Sequence, residues 1–167
     1  MNMKKIIVSL FCFMISVWSL NAQTDTAKVN LYNPAANAKQ DIKTAVDLAA
    51  KTNKQVMIQV GGNWCSWCIK FHKMIRADKQ MDSLLTANYV YILVNYSKEN
   101  KNPEVLQQLD NPQRFGYPVL VILDQKGKRL HTQNTAYLEE GKGYSKEKVI
   151  EFFKSWTVTA CDPASYK

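Results

Sequence analysis

Apolar residues recur along this chain at helical spacing in three places, separated by shorter apolar runs. The three sets are Ile42, Ala45, Val46 and Ala49; Trp67, Cys68, Phe71, Met74 and Ile75; and Val149, Phe152, Phe153 and Trp156. Spacing of this kind puts apolar side chains on one face of an α-helix, so each set predicts an amphipathic helix. The first helix should end near Asn53, Leu84 and Leu85 extend the second helical region, and Ser145 is placed to cap the last helix.

The shorter apolar runs predict β-strands. They cover residues 55–60, 89–95, 118–123 and 129–133. The second and third runs are almost continuously apolar, as expected of strands that are covered on both faces. The first run ends at Gly61-Gly62, and turn residues 124–127 join the last two runs into a hairpin. Another short helix should follow Asn102, with Pro103 at its first position.

The resulting order is helix, strand, helix, strand, helix, strand, strand, helix. Alternation that ends in a hairpin indicates the α/β class, with a central mixed β-sheet and helices on both faces. A length of 167 residues and a hydrophobic content of 46% suit one globular domain and exclude disordered, collagen-like and coiled-coil proteins. We place that domain at 38–157, after a loose polar lead-in at 23–37 and before a C-terminal tail at 158–167.

The first 22 residues have the pattern of a secretory signal peptide. Two lysines precede the uncharged, mostly apolar stretch 6–20, and the small residue Ala22 follows it. Cleavage is expected after Ala22, which makes the protein periplasmic or secreted. Leu20 is larger than the small residue usually found two positions before the last residue of a signal peptide, here Ala22, so retention of the segment as a membrane anchor is the alternative.

The charge of the chain does not indicate a nucleic-acid partner. The formal net charge is +8, and loss of residues 1–22 would leave 20 basic against 14 acidic residues, or +6. The lysines are scattered and form no basic block, so we interpret the charge as a contribution to solubility. Export has the larger consequence, because cysteines can be oxidised outside the cytosol.

The segment 64–68, Trp-Cys-Ser-Trp-Cys, is the part of the chain that predicts chemistry. It follows a predicted strand and begins a predicted helix, where free backbone N–H groups and the helix dipole stabilise a thiolate. Spacing of three along a helical turn brings the two sulfurs within reach of a disulfide. Cys65 should be the exposed nucleophile, and Cys68, one turn later on the apolar face, should be the buried resolving thiol.

Other interpretations of a single Cys-x-x-Cys pair have less support. A structural zinc site needs four ligands, and this chain has no second cysteine pair. Haem attachment requires a histidine after the second cysteine, where Ile69 stands. A purely structural disulfide across so short a loop would constrain the unfolded chain little. Redox chemistry, which requires no metal or organic cofactor, is the favoured interpretation.

His72 supplies an alternative function. It follows Cys68 by four residues, so it lies on the same helical flank, and Cys65, Cys68 and His72 would make a three-ligand site. Such a site would make the protein a non-enzymatic module that handles Cu(I) or Zn(II). We favour instead a histidine on the helix surface, between Lys70 and Lys73, with no stable metal.

The strand 56–60, the Trp-Cys-x-x-Cys segment 64–68 and Gly-Tyr-Pro-Val at 116–119 together resemble the thioredoxin superfamily. The resemblance covers about residues 38–157, and it is greatest to exported thioredoxin-like disulfide reductases and interchange proteins. It implies a thioredoxin fold and a thiol:disulfide oxidoreductase acting on exported proteins, with reduction favoured over oxidation. A membrane or periplasmic electron donor would then be the second partner.

The resemblance also assigns roles to residues around the cysteines. Pro118 should follow a cis peptide bond and face the pair, and the backbone of Tyr117 should pair with an extended substrate chain. Trp64 and Trp67 would help to shape the same substrate groove. For Trp67, packing within the apolar face of the helix is an equal alternative.

Four residues depart from the family pattern or lie outside it. Gln59 occupies the position, six before the first cysteine, where family members often place a buried acid that takes the proton of the resolving thiol. Ser66-Trp67 replaces the Gly-Pro pair of cytosolic thioredoxins, and the residues at these positions help to set the reduction potential. Cys161 leaves an odd number of cysteines once Cys12 is lost with the signal peptide, and the sequence gives it no role.

Overall fold

The computed structural model describes residues 30–167, so the expected signal peptide and the start of the lead-in lie outside the described residues. Six α-helices occupy this part of the chain: α1 (Ala38–Thr52), α2 (Ser66–Ala77), α3 (Lys79–Asn88), α4 (Pro103–Gln108), α5 (Lys146–Ser155) and α6 (Val158–Cys161). The strands within it are β1 (Gln55–Gly61), β2 (Tyr89–Asn95), β3 (Val119–Leu123), β4 (Arg129–Asn134), β5 (Glu139–Glu140) and β6 (Gly143–Tyr144). Across residues 30–167, no helix combines the length and apolar character that a membrane span requires.

A four-stranded sheet in the order β2-β1-β3-β4 forms the centre of the structure. Strand β1 pairs with β2 in parallel and with β3 antiparallel, and β3 pairs antiparallel with β4, so the predicted mixed sheet and hairpin are confirmed. Ile58 in the middle of β1 stands opposite Ile92 of β2 and Val121 of β3. Strands β5 and β6 form a separate two-stranded sheet.

Helices cover both faces of the sheet, as predicted, because the side chains of β1 alternate between two apolar cores. Val56, Ile58 and Val60 belong to the core that contains Ala45 and Ala49 of α1. Met57 belongs to the other core, which is built mainly from α2, α3 and α5. The alternation places Gln59 on the same face as Met57. A polar amide therefore lies in the layer beneath α2.

The end of α1 and the starts of α4 and α5 lie where they were predicted. The side chains at the two starts do not form hydrogen bonds to the backbone of the helix that follows. Helix α1 ends at Asn53, which adopts the left-handed conformation with φ 53°. Ser145 stands at the N-cap of α5, but its hydroxyl donates to Glu147 and not to the helix backbone as a cap would require. Asn102 precedes Pro103 at the start of α4 and donates from its side chain to the backbone of Asn95.

The second helical region differs from the prediction because it is divided in two at Asp78. The Asp78 carboxylate accepts backbone hydrogen bonds from Gln80 and Met81 and so caps α3. The same carboxylate forms an ion pair with Lys146 at the start of α5, at 2.6 Å. Apolar residues continue beyond this break, so the hydrophobic pattern did not predict that Asp78 ends one helix and caps the next. The C-terminal tail is helical in part, since it contains α6 and a 3-10 helix at Pro163–Tyr166.

The expectation of a loose lead-in is wrong for the residues just before α1. Tyr32 is only 2% exposed, although its neighbours in sequence are mostly polar. The side-chain amide of Asn63 accepts from the Tyr32 N–H and donates to the Tyr32 carbonyl, both at 2.8 Å. These two hydrogen bonds hold the segment against the loop between β1 and α2, which contains Cys65.

Candidate active site

A disulfide joins Cys65 and Cys68 at the start of α2, with an S–S distance of 2.08 Å and a Cα–Cα distance of 5.2 Å. Cys65 is the N-cap residue of the helix, and its sulfur accepts a hydrogen bond from the Cys68 backbone N–H at 3.1 Å. The free N–H groups of a helix start stabilise negative charge, so this position favours the thiolate form of a reduced Cys65. The local geometry therefore agrees with the sequence argument.

The expected exposure of Cys65 is wrong, because the whole residue is only 5% exposed, against 0% for Cys68. Both cysteines share an apolar cluster with Tyr32, and Trp67 and Tyr117 are among the residues packed against it. Tyr32 comes from the segment before α1 and Tyr117 from the loop before β3. The spacing of apolar residues around Cys65 cannot show that these distant segments bury it. Cys65 is nevertheless the more accessible of the two sulfur-bearing residues.

The predicted cis peptide between Tyr117 and Pro118 is confirmed. Pro118 is buried immediately before β3, and its carbonyl accepts a hydrogen bond from the Thr135 hydroxyl at 2.5 Å. Tyr117 is half-buried and packs against the cysteine cluster. Two segments about fifty residues apart in the chain, with Cys65 in one and Tyr117 in the other, are thus brought together at the site.

Three aromatic residues form a wall beside the pair, and we call Trp64, Tyr96 and Tyr117 the aromatic wall. The Trp64 ring meets Tyr117 edge-on at a centroid distance of 5.2 Å, and Tyr96 stacks on Tyr117 at 5.0 Å. The indole N–H of Trp64 also donates to the Tyr96 carbonyl at 2.6 Å. Trp64 is 58% exposed, so the wall presents an apolar surface to solvent next to the disulfide.

Tyr96 is the member of this wall that the sequence argument missed. It follows β2 directly, and β2 runs parallel to β1, whose carboxyl end leads into the cysteine loop. The ends of adjacent parallel strands lie at the same edge of a sheet. The Tyr96 N–H accordingly donates to the Gly61 carbonyl at 2.5 Å. The parallel pairing of the two strands was the signal that would have located Tyr96.

Trp67 matches the second of its two interpretations, packing within the helix face. Its ring meets Tyr144 edge-on at 5.3 Å, and the Lys70 ammonium lies 4.5 Å from the ring centroid. The side chain is half-buried between the cysteine cluster and the core under α2. These contacts leave less of its surface for a substrate than Trp64 presents.

Beneath the pair lies a hydrogen-bonded network centred on Gln59, which is fully buried. Its amide nitrogen donates to the Tyr32 hydroxyl at 2.5 Å and to the Cys68 carbonyl at 3.1 Å. Its amide oxygen accepts from the Tyr91 hydroxyl at 2.6 Å. Burial raises the pKa of Tyr32 and that of Tyr91 above the usual value, so both phenols keep their protons.

His72 belongs to this network and does not lie with the sulfurs. Its Nδ1 is 3.1 Å from the Tyr91 hydroxyl, and its ring stacks on Tyr91 at a centroid distance of 5.8 Å. Within the described residues 30–167, no three His, Cys, Asp or Glu side chains are grouped so that they could hold a metal ion. The alternative site of Cys65, Cys68 and His72 is therefore not supported, because the helix directs His72 toward β2.

The histidine predicts a pH dependence of stability. Burial, together with the nearby Arg76, lowers the pKa of His72, so the folded protein binds this proton less readily than the unfolded chain. The stability associated with neutral His72 is present above its unfolded pKa of about 6.5 and is lost as the pH falls toward the lower, folded value. We expect His72→Gln to lose less stability than the parent between neutral pH and about pH 5, as measured by urea unfolding. Superimposable pH profiles would contradict this.

Comparison with known proteins identifies the family. Residues 37–125, more than half of the chain, match the family model described as thioredoxin-like. The chain belongs to the thioredoxin-like family. Within this thioredoxin-like chain the matched region begins at the N-cap of α1 and extends past β3, so it includes the cysteine pair, the aromatic wall and the cis proline.

Two curated relatives and one solved structure are similar to parts of the chain. Disulfide bond reductase DsbH of Chlamydia pneumoniae is 28% identical over 75 residues, which are 42% of this chain and 45% of DsbH. Thiol:disulfide interchange protein DsbD of Actinobacillus pleuropneumoniae is 23% identical over 124 residues, 74% of this chain and 21% of DsbD. The thioredoxin-like chain thus matches less than half the length of either relative.

The crystal structure of a disulphide isomerase from Xylella fastidiosa Temecula1 superimposes on the chain with a TM-score of 0.67. The two are 23% identical, and the match covers 75% of this chain and 95% of the isomerase. At this identity the similarity concerns the fold. The thioredoxin fold implied by the sequence resemblance is confirmed.

Proposed function

We propose that this thioredoxin-like chain catalyses thiol–disulfide exchange with exported protein substrates through Cys65 and Cys68. The observation that carries the proposal is the placement of the pair. Cys65 caps α2, its sulfur accepts the Cys68 N–H, and the two sulfurs are close enough to bond. A sulfur stabilised as a thiolate, with a second thiol one helical turn away, has what disulfide exchange requires.

The reaction proceeds in two displacements. The Cys65 thiolate attacks one sulfur of a substrate disulfide, forming a mixed disulfide and releasing the other substrate sulfur as a thiolate, which takes a proton. The Cys68 thiol loses its proton, and its thiolate attacks the Cys65 sulfur. The Cys65–Cys68 disulfide forms, and the second substrate sulfur leaves and is protonated. Two electrons pass from the cysteine pair to the substrate. One of the two protons comes from Cys68 and the other from solvent, because Cys65 reacts as the thiolate. The reverse sequence oxidises a substrate dithiol.

The substrate groove lies along the aromatic wall. Trp64 offers its exposed indole, and the backbone of Tyr117, before the buried Pro118, would pair with an extended substrate strand. Trp67 borders the pair on its other side and contributes mainly by packing. Apolar surface beside backbone hydrogen-bonding groups suits an unfolded or extended segment with apolar residues near its cysteine.

Reduction is the direction we propose, with a membrane or periplasmic electron donor that returns the pair to the dithiol form. One relative bears the name disulfide bond reductase, and the sequence of residues 1–22 predicts export to a compartment where substrate disulfides persist. The chemistry of the pair requires no metal or organic cofactor.

Catalysed reduction of insulin by dithiothreitol tests the proposed activity. We expect the chain to shorten the lag before insulin precipitates, because each turnover breaks a disulfide between the insulin chains. A chain carrying both Cys65→Ala and Cys68→Ala serves as the matched blank. Equal precipitation rates for the parent and this blank would refute the proposed function.

The reduction potential of the pair tests the proposed direction. Equilibration with glutathione buffers, followed by alkylation of free thiols, measures the fraction of oxidised protein. A value near −270 mV, about that of thioredoxin, is expected for a reductase, whereas one near −120 mV, about that of a strong oxidant, would overturn the direction while leaving disulfide exchange intact.

A further inference from the structure

We propose that the Tyr32 hydroxyl donates a hydrogen bond to the sulfur of Cys68 and stabilises its thiolate when the mixed disulfide is resolved. This inference rests on the proposed function, and it assigns a role in the second displacement to a residue outside the family's cysteine and proline motifs. Tyr32 lies in the segment before α1, at a distance of more than thirty residues from Cys68 in the chain.

The need for such a donor follows from the burial of Cys68. The residue is fully buried, and a buried thiolate without hydrogen bonds is destabilised by loss of water. The buried polar side chains within residues 30–167 are Gln55, Gln59, Asn95, Thr135 and Ser145, and none of these is a carboxylate. Gln59, at the position of the family's acid, is neutral and cannot take the proton. None of these buried side chains carries a positive charge either, so a hydrogen bond to the Cys68 thiolate from a buried side chain comes from a neutral donor.

The positions of the atoms identify Tyr32 as that donor. A Cβ placed on Gly61 would lie 2.5 Å from the Cys68 sulfur and 2.7 Å from the Tyr32 hydroxyl oxygen, so both atoms crowd the same point. Tyr32 also shares the apolar cluster of the two cysteines. The hydroxyl and the sulfur therefore both border the space that the absent Cβ of Gly61 leaves open.

The hydrogen bonds of Gln59 set the direction of the Tyr32 proton. Because the Gln59 nitrogen donates to the Tyr32 oxygen and to the Cys68 carbonyl, the phenol oxygen is an acceptor in that contact. Tyr91 holds the Gln59 oxygen, which keeps the amide in this orientation. The Tyr32 O–H hydrogen is thus not used in the contact with Gln59 and is available to another acceptor, and the two hydrogen bonds with the Asn63 side chain hold the Tyr32 backbone in place.

The step balances without transfer of the tyrosine proton. The Cys68 proton passes to water or to the departing substrate thiolate, and the Cys68 thiolate attacks the Cys65 sulfur. The bond between Cys65 and the substrate breaks, and its electron pair leaves on the substrate sulfur. Tyr32 keeps its proton throughout and donates the hydrogen bond to the anion that forms, because burial maintains the phenol in its neutral form.

The Tyr32→Phe variant tests the inference in the full chain. In single-turnover reactions with a model peptide disulfide, we expect resolution of the mixed disulfide to slow by at least about tenfold, since hydrogen bonds to charged groups are among the stronger ones. The first displacement by Cys65, measured in a Cys68→Ala background, should change less than twofold. The pKa of the Cys68 thiol, measured by alkylation in a Cys65→Ala background, should rise.

Tyr91→Phe is the matched control. It also removes a phenol hydroxyl that is hydrogen-bonded to Gln59, but on the side away from the sulfur. Loss of packing or of a Gln59 partner should affect both variants, whereas the larger rise in the pKa of the Cys68 thiol is expected for Tyr32→Phe. That variant removes the proposed donor itself, while Tyr91→Phe only frees the amide that orients it. Both variants retain the other titratable side chains around this network. Tyr117, before β3, packs against the cysteine cluster, Tyr144 of β6 interacts electrostatically with Tyr32, and His72 stacks on the ring at position 91.

Each outcome supports or refutes the inference. An unchanged pKa of the Cys68 thiol in Tyr32→Phe, or equal slowing of both displacements, would refute the role of Tyr32. The proposed function would still hold in that case if the parent protein catalyses disulfide exchange. If the phenylalanine variant does not fold, a ring-fluorinated tyrosine at position 32 replaces it. Its more acidic hydroxyl is a stronger donor and should lower the pKa of the Cys68 thiol, and no change or a rise would refute the role of Tyr32.

Discussion

Replacing Cys65 by alanine is expected to lower catalysed insulin reduction by at least about 10³-fold, because removing one member of a catalytic unit removes the unit's effect. Cys65 occupies the N-cap of α2, where the backbone N–H of Cys68 stabilises its thiolate, whereas Cys68 lies within the first turn of the helix and is fully buried. The Cys68→Ala variant should show a different defect from Cys65→Ala. It keeps the nucleophile and loses only the resolving thiol, so mixed disulfides with substrate should accumulate and be visible on non-reducing gels.

Ser66→Ala supplies the control for both cysteine variants. Ser66 is exposed in the same helical turn, so its replacement tests whether any change at this point of α2 disturbs catalysis. We expect its turnover to stay within about tenfold of the parent, far from the loss in Cys65→Ala, because Ser66 can shift the reduction potential of the pair but takes no part in the exchange itself. Full activity in Cys65→Ala, or mixed disulfides formed through Cys68 in its place, would show that the two roles are assigned wrongly.

Replacing Gly61 by alanine is expected to destabilise the folded protein by about 1–3 kcal/mol, the usual range for overpacking a filled core. The added methyl group would lie 2.5 Å from the Cys68 sulfur and 2.7 Å from the Tyr32 hydroxyl oxygen, closer than such contacts allow. Strand β1 is buried at this point and paired on to β2, so the backbone has little freedom to move away. Urea unfolding of the oxidised protein measures the effect.

Gly143→Ala is the matched control for this change. A Cβ at Gly143 meets no atom within 4 Å, so the same substitution there adds no crowding. We expect its unfolding free energy to stay within about 0.5 kcal/mol of the parent, as is usual for surface substitutions. Equal stabilities of the two alanine variants would mean that the space beside Cys68 is not filled as described.

Much of the fold could be predicted because its determinants are local. The helix that begins at Ala38 and the strands that begin at Gln55 and Tyr89 follow from the spacing of apolar residues over a few turns. Strand alternation also decides that Gln59 lies beneath α2. The break at Asp78 was missed, because a cap and an ion pair with Lys146 interrupt a hydrophobic pattern that itself continues.

The candidate site was predictable where a motif carries it. The cysteine pair and the cis bond before Pro118 follow from short segments that resemble the thioredoxin superfamily, and the structure contains both the disulfide and the cis bond. The exposure of Cys65 was predicted wrongly, and the contact of His72 with Tyr91 was not foreseen. Both depend on which distant segment packs against α2, and helical spacing alone cannot supply that information.

The sequence by itself therefore determined the α/β class, the position of the reactive pair and the strand that leads to it, because each depends on neighbours within a few residues. Only the tertiary structure decided what surrounds the pair. Tyr32 reaches Gln59 across 27 positions, and Trp64 reaches the Tyr96 carbonyl across 32. These contacts arise because parallel strands end at one edge of the sheet and because a tyrosine fills space left open by a glycine. Neither cause produces a repeating pattern of apolar residues along the sequence, so neither can be predicted from such a pattern.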